Sequence, residues 1–299
     1  MNPFGSIKSR IKLFLIALVV RHSSRNGVFP IEIKSTVGLG AKLEWCLEIL
    51  AYCNENGLIP QFKFSYPYSD KSEDYFSTFF SIKHVEGRPL RFIKISSIIE
   101  LNLGKDYDNV LDIRLANYLI NKYLVVKEDI VREVESFCCQ NFANRRVLGV
   151  HYRGTDKVLE SPVVPYDRVK RNIEHYLRIY PETDCIFIAT DDINFIENMG
   201  NASIGRPVLF RNDSFRSRDG DSIHESAYTN KYEINRDAIV NCLILSRCNA
   251  LLKTASILSG WSKLFNPQLP VVMLSAPYNE HLWFPERDLV KNNLFEPIK

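Results

Sequence analysis

The chain has 299 residues, of which 45% are hydrophobic and 24% charged, with a formal net charge of +3. This length suits two α/β domains of ~100–150 residues each, and this composition suits a soluble globular protein. The small positive charge and the lack of any RNA or DNA motif exclude nucleic acid as an expected partner.

Near the start, Lys8, Arg10 and Lys12 precede the apolar run LFLIALVV at 13–20, and Arg21 and Arg25 follow it. Eight apolar residues fall short of the ~20 that span a bilayer. Charge on both sides and no small-residue cleavage site argue against a signal peptide. Two readings stand: a helix or strand of the first domain, or a basic interfacial helix resting on an anionic membrane surface. The seven cysteines show no C-x-x-C spacing. They read as free buried thiols of a reducing, cytoplasmic compartment, peripheral to the inner membrane face if the N-terminus makes that contact.

Gly38-Leu39-Gly40 leads into an amphipathic helix with Leu43, Leu47, Leu50 and Ala51 on one face and Asn56-Gly57 as its stop. Leu58, Ile59, Phe62 and Phe64 suggest the next strand, so this is a strand, turn, helix, strand unit of a parallel sheet. Gly38 and Gly40 are candidate donor-binding positions, because small residues let a ligand approach backbone N–H groups; an ordinary turn is the other reading. Residues 65–90 read as irregular and 110–143 as mainly helical. Residues 147–151 begin a second α/β series, with strands at 185–189, 208–210, 250–252 and 271–274 and helices at 166–180, 193–199 and 237–247.

The segment VLGVHYRGTDKVLE at 147–160 carries the densest chemistry. A buried strand there ends in His151, Tyr152, Arg153, Gly154, Thr155, Asp156 and Lys157. Ligands of open α/β sheets sit just past the carboxyl ends of the strands, and arginine offers a planar fork for phosphate. The loop therefore suits a phosphorylated, nucleotide-linked ligand. No Asp-x-Asp and no His/Asp cluster calls for a metal.

Four blocks read together: GLG at 38–40, HYRGTDK at 151–157, IFIATDD at 186–192 and DAIVNCLILSRCNALLKTASILS at 237–259. In this order and spacing they resemble the fucosyltransferase superfamily of GT-B glycosyltransferases, which spans α1,2-, α1,6- and protein O-fucosyltransferases. The block at 237–259 looks closest to the bacterial nodulation-type α1,6 branch. The resemblance covers about 145–275 and is weak in the first domain. It implies two Rossmann-like domains facing across a cleft. Residues 1–145 form the acceptor side and 146–275 the nucleotide-sugar domain, with a 276–299 tail packing back on the first. It also implies an inverting, metal-independent transfer of fucose from GDP-fucose to a hydroxyl of a glycan or lipid-linked oligosaccharide, with no cofactor.

On that reading Arg153 contacts the β-phosphate and replaces a metal at the leaving group. His151 lies on the nucleotide, or is a core histidine satisfied by hydrogen bonds. Ser256 and Ser259 donate to phosphate oxygens, or cap a helix. Asp191 and Asp192 touch the nucleotide, or cap the helix at 193–199 and brace loops. Glu160 is the candidate base, with Asp156 as a rival, and Lys157 assists the leaving group or holds Glu160. Two departures from the family stand out. Gly154 replaces a second arginine, for which Arg211, Arg216 or Arg218 are candidate substitutes. Asn241 replaces an aspartate that reads guanine, and Asp237, one turn earlier, is the candidate substitute. Asn241 also motivates a second reading with another nucleotide-sugar donor. Gly154 and the displaced Glu160 motivate a third, a catalytically silent glycan-binding relative. Tyr278, His281, Trp283 and Phe284 either stack on a sugar ring or pack as a tail.

Overall fold

The computed structural model describes residues 27–65, 74–83, 92–154, 160–218 and 231–291. The chain divides into two compact units. One comprises residues up to Leu111 with Tyr118–Lys127; the other comprises Asp112–Asn117 with everything from Glu128 onward.

The first unit is built on β1 (Val28–Lys34), α1 (Leu39–Asn56) and β2 (Ile59–Ser65). β1 and β2 pair in parallel with α1 as the crossover, and β4 (Ile93–Ile95) pairs in parallel on the other side of β1. Phe29, Ile31, Ile33, Phe62 and Phe64 are all buried, each contributing ~1.5–3 kcal/mol when fully enclosed. Gly57 ends α1 in the left-handed region at φ 65°, its N–H bonded to Cys53 O. Contrary to the simple amphipathic pattern, α1 also buries Lys42, Glu44 and Glu48.

Within the tract expected to be irregular, α2 (Phe76–Phe79) runs into β3 (Phe80–Ile82). The expected helical stretch at 110–143 is split. α3 (Ile113–Tyr123) and α4 (Glu128–Asn141) flank β5 (Leu124–Val126), which pairs antiparallel with β3. The β-branched Val125 and Val126 suit that strand.

The second unit holds a five-stranded parallel sheet. Its strands are β6 (Val147–Tyr152), β7 (Cys185–Thr190), β8 (Val208–Leu209), β9 (Ala250–Lys253) and β10 (Val271–Met273). The spatial order is β10-β9-β6-β7-β8. α5 (Tyr166–Ile179) and α6 (Ile193–Asn201) wind the chain from β6 to β8. α7 (Lys231–Leu245) then carries it back across β6, and α8 (Ile257–Phe265) leads to β10. The winding reverses between β6 and β9, so their carboxyl ends form the topological switch point, where such sheets bind ligands. Leu148, Val150, Ile186, Ile188, Val169, Ile173 and Phe195 pack as the core on one face. Gly149 is needed where α7 presses on the other, since a Cβ there would lie 3.1 Å from Cys248 Sγ and from Leu245 Cδ2.

Two boundaries differ from the sequence expectation. α4 belongs to the second unit rather than to a first domain ending at 145. Its Asp129 and Glu133 pair with Arg236 of α7, and Glu133 also with Arg211. The segment after β10, through α9 (Glu286–Lys291), is likewise part of the second unit rather than a tail on the first. Among the described residues, no helix is long and apolar enough to cross a membrane. The run at 13–20 lies outside them.

Candidate active site

At the switch point the second unit has a cavity of about 90 Å³, walled by His151 and Arg153 of the β6 end and Asp191 of the β7 end. It is also lined by Asp237 and Asn241 of α7 and by Ser256, Leu258 and Ser259 at the start of α8.

Arg153 is held through its backbone and through its side chain. Its backbone N–H donates to Thr254 Oγ1 at 2.8 Å, which ties the β6 and β9 ends together. Its Nε meets Asp191 Oδ2 at 3.0 Å, and the other Asp191 oxygen accepts the Gly154 N–H at 3.1 Å. Asp191 thus braces the loop and orients the guanidinium. Asp192 plays a separate part. Its carboxylate caps α6 by accepting from the Asn194 and Phe195 N–H groups, and it also accepts from the Tyr166 hydroxyl.

Gly154 has a steric reason. A Cβ there would lie 2.6 Å from Tyr152 Cε1 and 2.9 Å from Asp192 Oδ2. Tyr152 is itself fixed by stacking on Phe195 at 4.3 Å and by donating its hydroxyl to Val164 O. The space a second arginine would need is filled.

Nor do the other arginines take that place, since none of them lines the cavity. Arg211 is buried in an acidic cage, with Asp237 and Glu133 each at 2.5 Å and Asp213 at 2.9 Å. Arg216 donates to Arg211 O and lies over the Phe210 ring. Arg218 pairs with Glu197 on the surface. Among the described residues Arg153 is the one cation on the cavity wall. The 211–218 loop itself runs back to β7 through Ser217 N–H to Asp191 O at 2.7 Å, which brings Phe215 to the cavity.

The α7 wall is polar and already ordered. Asp237 accepts from Arg211, from the Ser214 hydroxyl at 3.0 Å, from the Phe215 N–H at 3.4 Å and from Asn241 Nδ2 at 3.3 Å. Burial raises the Asp237 pKa and Arg211 opposes that rise. With both oxygens engaged, Asp237 has no place for the two donors of a guanine edge, contrary to its expected substitute role. Asn241 Nδ2 also donates to Ser214 Oγ at 3.2 Å. The amide is thereby oriented, and its Oδ1 is buried without a partner. That oxygen is a fixed acceptor awaiting a donor.

On the same cavity α8 opens at Ser256, whose hydroxyl makes no capping bond. The N–H groups of the first helical turn have no partner within the helix and carry its positive dipole end. The Ser259 hydroxyl is turned to Ser256 O at 3.1 Å, so its proton is not directed at a ligand. His151 lies on the cavity wall with Nδ1 buried and unpartnered. Burial, then Lys253 and Arg153, hold its imidazole well below the usual histidine range, so it is neutral at pH 7.

Glu160 is half-buried, and its backbone oxygen accepts the Tyr278 N–H at 2.9 Å. The candidate base and the aromatic C-terminal segment are therefore neighbours, though Glu160 does not line the cavity. Tyr278 and Trp283 are 41% and 43% exposed, whereas Phe284 is enclosed. Asp156 and Lys157 lie outside the described residues. Gly38 and Gly40 start α1 in the first unit; the cavity walls above belong to the second. Among the described residues no group of three or more His, Cys, Asp or Glu side chains is arranged to hold a metal ion.

No protein-family model and no curated protein matches the chain. Among solved structures it is similar to NodZ α-1,6-fucosyltransferase soaked with GDP-fucose, at 14% identity and a TM-score of 0.49, covering 80% of this chain and 92% of that one. It is similar to POFUT1 in complex with GDP-fucose, at 11% identity and a TM-score of 0.48, covering 83% and 97%. It is also similar to a point mutant of Arabidopsis thaliana FUT1 in complex with GDP, at 12% identity and a TM-score of 0.39, covering 87% and 53%. All three are fucosyltransferases.

Proposed function

We propose that the second unit binds a nucleotide-sugar and that the chain is a glycosyltransferase moving fucose from GDP-fucose to a hydroxyl of a glycan or lipid-linked oligosaccharide. The observation that carries this reading is that Arg153 and the open start of α8 line one cavity at the switch point. A fixed guanidinium and a helix N-terminus together suit a pyrophosphate. Beyond it, Asn241 Oδ1 on the α7 wall offers an acceptor to a base.

In this mechanism no metal is required. The acceptor oxygen attacks the anomeric carbon from the face opposite the diphosphate, the carbon–oxygen bond to the β-phosphate breaks, and the configuration inverts. Negative charge grows on the departing diphosphate, where Arg153 and the α8 N–H groups stabilise it. A carboxylate takes the acceptor proton, and Glu160 is assigned that role. His151, neutral and beside Arg153, serves the donor as a hydrogen-bonding group rather than as a cation.

A second reading keeps the transferase and changes the base, and the α7 wall favours it. A carboxylate accepts from two adjacent guanine donors, while the oriented Asn241 presents one oxygen and Asp237 is engaged. Thermal stabilisation by a panel of nucleoside diphosphates and nucleotide-sugars, without metal, decides between them. A ligand at ~100 times its dissociation constant stabilises the native state by ~2.7 kcal/mol. Selective stabilisation by GDP and GDP-fucose is expected. Preference for a uridine, cytidine or adenosine nucleotide would discard fucose, and a response to none would discard the donor site.

A further inference from the structure

Lys253 ends β9, the strand that runs into the Ser256 turn, and its side chain is fully enclosed. The ammonium meets the Glu286 carboxylate and, at 3.6 Å, the sulfur of Met273. Glu286 opens α9, thirty-odd residues later, and is 3% exposed. The Oε1 atom that meets Lys253 also accepts the backbone N–H of Ser256 at 2.5 Å. Neither charged residue lines the cavity, whereas Ser256 does. Two more contacts join the C-terminal segment to this region. Ser275 Oγ accepts the Ala255 N–H at 3.1 Å. Gly260 of α8 lies so close to Pro285 that a Cβ would come within 2.7 Å of Pro285 Cγ.

A buried ion pair is a poor device for stability alone, because an apolar pair of like volume often does as well. This one supplies something an apolar pair cannot: a charged acceptor, fixed in place, for one backbone N–H. Ser256 is extended, at φ −171° and ψ 118°. Holding its N–H from outside the cavity leaves its hydroxyl and the N–H groups of the next turn for the cavity side.

We propose that Glu286 is a positioning residue of the anion site: gripped by Lys253, it fixes the Ser256 backbone from outside the cavity and so aims the Ser256 hydroxyl and the first N–H groups of α8. The inference rests on the reading of that turn as the diphosphate subsite. It makes the segment after β10 a working part of donor binding.

The test uses the full chain and two paired variants that leave no lone buried charge. Lys253→Met with Glu286→Gln keeps a neutral acceptor for the Ser256 N–H; Lys253→Met with Glu286→Ala removes it. Calorimetric Kd values for GDP and for inorganic pyrophosphate are compared at matched fold, checked by circular dichroism. The Gln pair is expected to bind within about threefold of the unmutated chain and the Ala pair about tenfold more weakly, as one hydrogen bond predicts. Equal affinity in the two pairs would overturn the proposal. Hydrogen exchange of the Ser256 amide in the unmutated chain gives a check that needs neither ligand nor variant. Exchange only on global unfolding is expected, and exchange at the rate of an open amide would refute the role of Glu286. If the unmutated chain binds no diphosphate, the donor reading fails, and the amide result still decides whether Glu286 fixes the turn.

Discussion

The turn at Gly38 leads from β1 into α1, and the turn at Ser256 leads from β9 into α8; neither has a side-chain cap. Around Gly38 a methyl group would meet nothing within 4 Å, and its φ of −62° is open to any residue. Around Ser256 the setting is crowded and polar. Arg153 lines the same cavity, Thr254 ties two strand ends, and Glu286 holds the backbone from outside. Small residues at a helix start give a ligand room. Charge and a fixed backbone give it a reason to stay, and those gather at the second turn.

The largest effect that tests this contrast is expected from Arg153→Ala. Loss of a bidentate charge-assisted contact should weaken nucleoside diphosphate binding about 100-fold, or ~3 kcal/mol, in a calorimetric titration. Wild-type affinity would break the assignment of the second turn. Next comes Gly154→Ala, which forces a methyl group into Tyr152 and Asp192. A loss of ~1–3 kcal/mol is expected in denaturant unfolding, as for overpacking elsewhere. Asn241→Asp sets a second carboxylate about 3.3 Å from Asp237, where an amide now donates. Its ligand-free stability should fall by ~1–2 kcal/mol near neutral pH and recover in acid, because like charges raise one folded-state pKa. GDP should offset that loss if guanine is the base read.

A pH series compares the two units directly. In the second, His151 has a folded pKa below its unfolded value of ~6.5, from burial, Lys253 and Arg153. Below that pH the unfolded chain takes up a proton that the folded chain refuses. Stability is therefore full above ~6.5 and falls as pH drops, by up to ~1.4 kcal/mol per unit. In the first, burial and then Asp108 and Asp106 push Glu48 up to about 8. From ~4.3 to that value the folded chain keeps a proton the unfolded chain has lost, so stability falls as pH rises. Glu48→Gln and His151→Gln should each flatten one limb of the profile; an unchanged profile in either would remove that residue as its source. The smallest effect is expected from Gly38→Ala: within ~0.5 kcal/mol in stability, as entropy gained and a weaker cap oppose each other, and no change in nucleotide affinity. A clear loss of affinity there would return the first turn to the site.

What could be read from the sequence was local. Cys185–Thr190 is an apolar run and is a strand buried along its whole length. Asp192 precedes a helical pattern and caps it, and Gly57 ends α1 as its place after Asn56 suggests. What escaped depends on partners distant in the chain. Nothing beside Arg211 tells that Glu133, 78 residues earlier, will cage it. Lys253 looks like a charge ending a short strand, and only Glu286, 33 residues on, explains its burial. β5 hid between two helices because three residues carry almost no periodicity, and its partner β3 sits in a tract of mixed polar and aromatic residues.

Gly154 bears on how such a site can be redesigned. A search that varies this position alone should return little but glycine, because Tyr152 and Asp192 already fill the volume beside it. Asp192 is committed to α6 and to Tyr166, and Tyr152 to Phe195. A second cation at this edge of the sheet is thus several coupled changes away. A library that randomises 152, 154, 166 and 192 together is the route by which one could be reached.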